Sequence, residues 1–287
     1  MTQRRRWLPT LLLIPFAYLL GWIIIYPLRI FYSGLDKQSL SLFGTLISFL
    51  VFLSLLPNWV RLRWGNDNCF FALGLNDSVK TYSFKYFMRG FSLSLGLLFC
   101  VVIPLLLSSW GTWTGSLNSG VLINAFFLVF VIGLAEELIF RGWLLVEMNQ
   151  LFGPRLGLII HAAIFSLVHA RTTLDLWGLF GLLIGLFLLG IVLALMRKID
   201  KGSLWGCVGL HGGLVGGWFL ISAGLIEVSP EIPGWLFGPG GSSLNPLGGL
   251  LSIFVLIFIL WRQRTLLAIG GRPFNGARKA SSRGALP

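Results

Sequence analysis

Apolar residues run through this chain in long blocks separated by short polar or charged breaks. The blocks cover about 8–30, 40–60, 90–109, 120–148, 155–170, 176–196, 203–225 and 246–261. Crossing the hydrocarbon core of a bilayer takes about 20 residues of helix. The pattern therefore predicts an all-α polytopic membrane protein with about eight transmembrane helices.

Composition sharpens that reading. The chain is 56% hydrophobic and 11% charged, with a mean hydropathy of +0.85; soluble domains carry about 25% charged residues. The first apolar block exceeds a signal-peptide core of about 7–15 residues and has no clean small-residue cleavage site after it, so it reads as a retained span. A net charge of +12 could suggest a nucleic-acid partner, but the distribution of charge argues otherwise. With a cytoplasmic amino terminus, 19 of the 22 Lys and Arg fall on the cytoplasmic side. Only Arg29, Lys37 and Arg171 fall on the other. This is the positive-inside asymmetry, and it predicts both termini in the cytoplasm, a lipid-bilayer partner and no nucleic acid. Cys69, Cys100 and Cys207 are isolated, which supports neither a disulfide framework nor a cysteine zinc site.

Four regions follow: 1–119, three spans with a cytoplasmic loop; 120–225, a four-helix core; 226–261, a loop and the last span; and 262–287, a basic tail expected to be disordered. Ser78 to Met88 mixes aromatics with lysines and suits a short interfacial helix. Glu227 to Pro246 holds four Pro, four Gly and no basic residue, as a non-cytoplasmic connection should.

The chemistry lies in the second half. Glu136 and Glu137 stand side by side within a span, after sixteen residues, Gly120 to Ala135, whose single polar side chain is Asn124. A charge at mid-bilayer costs roughly 2.5–3.5 kcal/mol on insertion scales, and an ionisable residue there is a functional-site candidate. A structural ion pair between Glu137 and Arg141, four residues apart, would account for one carboxylate and leave the other. Two further polar clusters follow, Phe165-Ser166-Leu167-Val168-His169 and His211-Gly212-Gly213-Leu214-Val215. From the cytoplasmic helix ends, Glu136 lies about 18 Å deep, His169 about 22 Å and His211 about 12–14 Å. Helices joined through 149–153 should be antiparallel neighbours, so all three could line one cavity open to the cytoplasm. A carboxylate beside imidazoles suits activation of water. The same trio could ligate a divalent metal such as zinc. His161 has no partner pattern and reads as a packing residue.

The order Glu-Glu-x-x-x-Arg, then Phe-x-x-x-His, then His on a later helix resembles the CAAX-protease and bacteriocin-processing (Abi) family of intramembrane endopeptidases. Phe140-Arg141-Gly142-x-Leu144-Leu145 and Phe152-Gly153-Pro154 fit the same context, and the resemblance covers roughly 120–225. It implies that Glu136 and His169 activate a water, that Glu137 and Arg141 support them, and that His211 stabilises the oxyanion. One position departs. Where the family has Asn, this chain has Val215, which donates no side-chain hydrogen bond; one oxyanion donor is worth about 10²–10³ in rate.

Two functions follow. One is an endopeptidase acting on a membrane-associated protein or peptide, in a bacterial-type inner membrane or an organelle membrane. The other is a non-catalytic relative that assembles or scaffolds a larger membrane complex. A transporter would show interrupted helices in both halves, and the first half carries no charge deep in a span.

Overall fold

The computed structural model describes residues 7–31, 37–76 and 80–264. The described residues form two compact units, one running up to Ala72 and the other starting at Leu73. The sequence had grouped the third apolar block with residues 1–119, whereas here it packs within the second unit. Arg4–Arg6 and most of the tail expected over 262–287 lie outside the described residues, as do Ser78 and Val79.

In the first unit, α1 (Trp7–Phe31) and α2 (Lys37–Trp59) form an antiparallel pair. Ser48 Oγ on α2 donates to its own helix at Gly44 O (2.8 Å) and across to Tyr18 O on α1 (3.3 Å). A π-helical turn, Val60–Trp64, ends α2 at Gly65, and α3 (Cys69–Leu73) follows.

The second unit is a bundle. Its helices are α4 (Lys80–Leu107), α5 (Ser119–Phe127), α6 (Gly133–Glu137), α7 (Leu145–Val168), α8 (Leu176–Ile199), α9 (Trp205–Gly224), α10 (Gly234–Phe237) and α11 (Leu250–Arg262). The residues expected to form an interfacial helix before Met88 are the first turns of α4, continuous with the span. Between α4 and α5, the short strand β1 (Gly111–Trp113) pairs antiparallel with β2 (Ile226–Val228), in register Thr112 with Glu227.

Among the described residues, six helical stretches are long and apolar enough to cross a membrane. The protein is an integral membrane protein. One of the six, Ser119–Val168, holds two of the blocks read from the sequence. It breaks at Gly153, whose φ of 81° and ψ of 165° are not helical. A positive φ is cheap only for glycine, and Pro154 begins the return limb without an N–H to satisfy. The reversal brings Gly157 against the backbone of Met148, nine residues earlier. The last block departs further from the expected span. Helix α11 has 13 residues, about 20 Å, because Pro246–Gly248 forms a 3-10 turn and Gly249 is extended.

Candidate active site

Helix α9 is the centre of the bundle, and its glycines make it so. A Cβ on Gly209 would overlap the Phe87 carbonyl of α4, and one on Gly212 the Val129 carbonyl before α6. Small residues let helix backbones approach closely in a membrane, where little else drives helices together. His211 lies between these two contacts in sequence and is held by both neighbours.

The helix bearing the acidic pair is irregular on either side of it. Leu128–Ile132 and Leu138–Leu144 are π-helical, with α6 between them. Such bulges widen the turn, leave carbonyls without their usual partners, and recur at functional sites. The Arg197 guanidinium, fully buried on α8, takes up that slack: it donates to the carbonyls of Arg141 and Gly142 and, through Nε, to Gly202 O at 3.1 Å.

All five residues singled out in the sequence meet here. The Arg141 guanidinium donates to Glu137 Oε1 at 2.6 Å, and both side chains are fully buried. The same oxygen accepts from His211 Nδ1 at 2.7 Å. One layer away, Glu136 Oε2 lies 3.2 Å from His169 Nε2 and 3.6 Å from His211 Nε2. His169 Nδ1 donates to Phe165 O at 2.7 Å. Phe165 packs against both imidazoles and beneath the Arg141 guanidinium, 4.0 Å from its ring centroid.

These contacts fix the tautomers. A backbone carbonyl and an ion-paired carboxylate are acceptors only, so both imidazoles carry hydrogen on Nδ1 and turn Nε2 toward Glu136. A bare Nε2 against an ionised carboxylate would be repulsive at 3.2 Å. One proton is therefore shared between Glu136 and His169.

Glu136, His169 and His211 line a cavity of about 440 Å³. Leucines of α4, α8 and α9 give it an apolar wall, and Val215 and Trp218 join it from α9. Ser222, Asn245 and Ser252 add polar atoms, with Arg171 and Ser243 at one end. Ser243, Leu244 and Asn245 were read from the sequence only as part of a connection, and Leu247 as part of the last span. Here Trp218 Nε1 donates to Leu244 O at 2.9 Å, and Asn245 Oδ1 accepts from Leu247 N–H at 3.1 Å. The density of Pro and Gly in the connection was its one local signal of a defined conformation. Nothing in the sequence distinguished Arg197 from the adjacent Lys198. His161, read as a packing residue, is fully buried, and no hydrogen bond reaches either ring nitrogen.

Two imidazole Nε2 atoms and a carboxylate have the donor chemistry of a zinc site, and an Nδ1–H held by a carbonyl or carboxylate is the usual support for such a ligand. Among the described residues, however, no group of three His, Cys, Asp or Glu is arranged to hold a metal ion. Glu136 is engaged directly by His169, and His211 Nε2 faces it at 3.6 Å.

A predominantly helical membrane protein with buried carboxylates and imidazoles at a cavity base is the class that the fold and site define. Residues 117–216 match the family model described as type II CAAX prenyl endopeptidase Rce1-like, and residues 1–68 match a domain of unknown function (DUF8676). That segment is thus similar to the CAAX-protease and bacteriocin-processing family. No curated protein and no solved structure matches it.

Proposed function

We propose that this protein is an intramembrane endopeptidase that hydrolyses a peptide bond in a membrane-associated protein or peptide. The observation that carries the reading is the approach of Glu136 Oε2 to both Nε2 atoms at the base of the cavity. With the shared proton on His169, Glu136 is a carboxylate and takes a proton from water as the oxygen attacks the scissile carbonyl carbon. His211 Nε2, bare because Glu137 holds Nδ1–H, accepts the water's second hydrogen and aims its lone pair. The C–N bond then breaks, and Glu136 returns its proton to the leaving amine nitrogen. His211 is thus better suited to orienting water than to the oxyanion role that the resemblance implies.

Val215 leaves the oxyanion short of a donor, and Asn245 is the amide among the cavity-lining side chains. Its Oδ1 is engaged by Leu247 N–H, which orients the carboxamide and leaves Nδ2 as its donor. We assign Asn245 the donor role.

Comparative proteomics of membranes from wild-type and Glu136→Gln cells tests the reading: processed termini should disappear in the variant. Activity that chelators abolish and zinc restores would replace the water-activation scheme with a metal-dependent one. Val215 also favours a second reading, a scaffold built on the same cavity. Complete rescue of a gene deletion by the Glu136→Gln protein would establish it.

A further inference from the structure

The cavity has one closed end and one open end. Below Glu136 the bundle is sealed by Glu137, Arg141, Trp143, Phe165 and Arg197, each 1% exposed or less by side chain or residue, apart from Arg197 at 2%. At the other end the lining residues Arg171, Ser222 and Ser243 are exposed. The opening therefore lies where α9 ends and α8 begins, opposite the end expected from the sequence. The reason is the Glu137–Arg141–Arg197 layer, which fills the route past His211.

Charge marks the same axis. The connection from α8 to α9, the Gly153 reversal and the start of α4 lie at the sealed end, bringing Arg155, Lys198 and Lys201 there, with Arg89 paired to Asp200. The chain segments at the open end, 169–176 and 225–245, carry Asp175, Glu227 and Glu231 against Arg171. Cationic loops stay in the cytoplasm, so the sealed end faces the cytoplasm and the mouth faces away from it.

From this we infer that the site is reached from the non-cytoplasmic side, and that its substrate is an extended, apolar, extracytoplasmic segment of a membrane-associated protein or peptide. The substrate part of this inference rests on the endopeptidase reading; the orientation does not. From His211 to Ser222 is eleven residues along α9, about 16 Å. At about 3.3 Å per residue, that length accepts roughly five residues of extended chain. The wall they would meet is apolar, including Leu98, Leu186, Leu214, Trp218 and Leu247. Cytosolic termini, lipidated or not, would have to cross the bilayer to reach it.

Two measurements test the inference. In a chain carrying Cys69→Ser and Cys100→Ala, Ser243→Cys and Arg155→Cys are introduced separately and treated with a membrane-impermeant maleimide in intact spheroplasts. Ser243→Cys should label at once and Arg155→Cys only after permeabilisation; the reverse pattern overturns the orientation. Second, every terminus present in wild-type and missing in Glu136→Gln membranes should map to an extracytoplasmic segment. Termini in cytoplasmic segments overturn the substrate class. If no terminus depends on Glu136, the endopeptidase reading falls and the substrate claim with it, while labelling still decides the orientation.

Discussion

The cavity base and the layer that seals it are one residue apart in sequence and opposite in environment. Glu136 keeps 30% of its side chain exposed and touches two imidazoles, whereas Glu137 is fully buried between Arg141 and His211. Successive helical residues point about 100° apart, so two adjacent carboxylates cannot serve one space. The upper layer can exchange protons with whatever enters the cavity. The lower layer must neutralise itself, because an unpaired buried charge costs several kcal/mol. His211 belongs to both layers, with Nδ1 on Glu137 and Nε2 toward Glu136. An acidic pair in a span therefore need not be a pair in function: one member works at the surface of the cavity, and the other is part of its floor.

The comparison breaks first at Glu136. Replacement by Gln keeps shape and removes the base, so peptide cleavage should fall by about 10²–10⁴, with the thermal midpoint in detergent unchanged. A midpoint drop as large as the activity loss would place Glu136 in the structural layer instead. Arg141→Ala should do the opposite. It leaves Glu137 buried without its cation, and the protein should lose about 3–5 kcal/mol of stability, read as a lower midpoint and poor yield. The double variant Glu137→Leu/Arg141→Met removes both charges and should recover most of that stability while remaining inactive, since His211 then loses its anchor.

Much of the site was legible because buried charge is rare. Ten acidic residues in 287 make an adjacent pair inside a span conspicuous, and helix depth brought His169 to its level. The positive-inside pattern was readable for the same reason. What escaped reading depends on tertiary packing. Arg197 ends an apolar helix beside Lys198, as a topology-setting cation would, yet it folds inward to carbonyls freed by a π turn that no local residue pattern announces. The mouth was misplaced because depth along isolated helices says nothing about which end of a shared space is filled. The glycines of α9 were a visible signal: spacings of four from Gly209 to Gly213 and Gly212 to Gly216 mark close packing on two faces.

The next prediction sharpens the upper layer. Asn245→Ala should lower turnover by up to about 10²–10³, the worth of one oxyanion donor, and leave the midpoint unchanged. Val215→Asn in that background should recover part of the loss, since it supplies a donor from the position where the family carries one. An Asn245→Ala protein of undiminished turnover would leave the oxyanion to groups on α9 and the substrate itself.

The smallest effect belongs to the mouth. Arg171 is exposed and its guanidinium donates to Ser243 O at 3.3 Å. An exposed cation contributes little to stability, about 0–1 kcal/mol for an ion pair, and salt screens it. Arg171→Gln should therefore leave the midpoint and kcat in place. It should raise KM by no more than about fivefold, the equivalent of 1 kcal/mol, for peptides with an acidic residue at the end that remains in the mouth. The change should vanish in high salt. A change in kcat that persists in high salt would mean that Arg171 acts on the reacting bond, and the division between a chemical base and a merely electrostatic mouth would have to be redrawn.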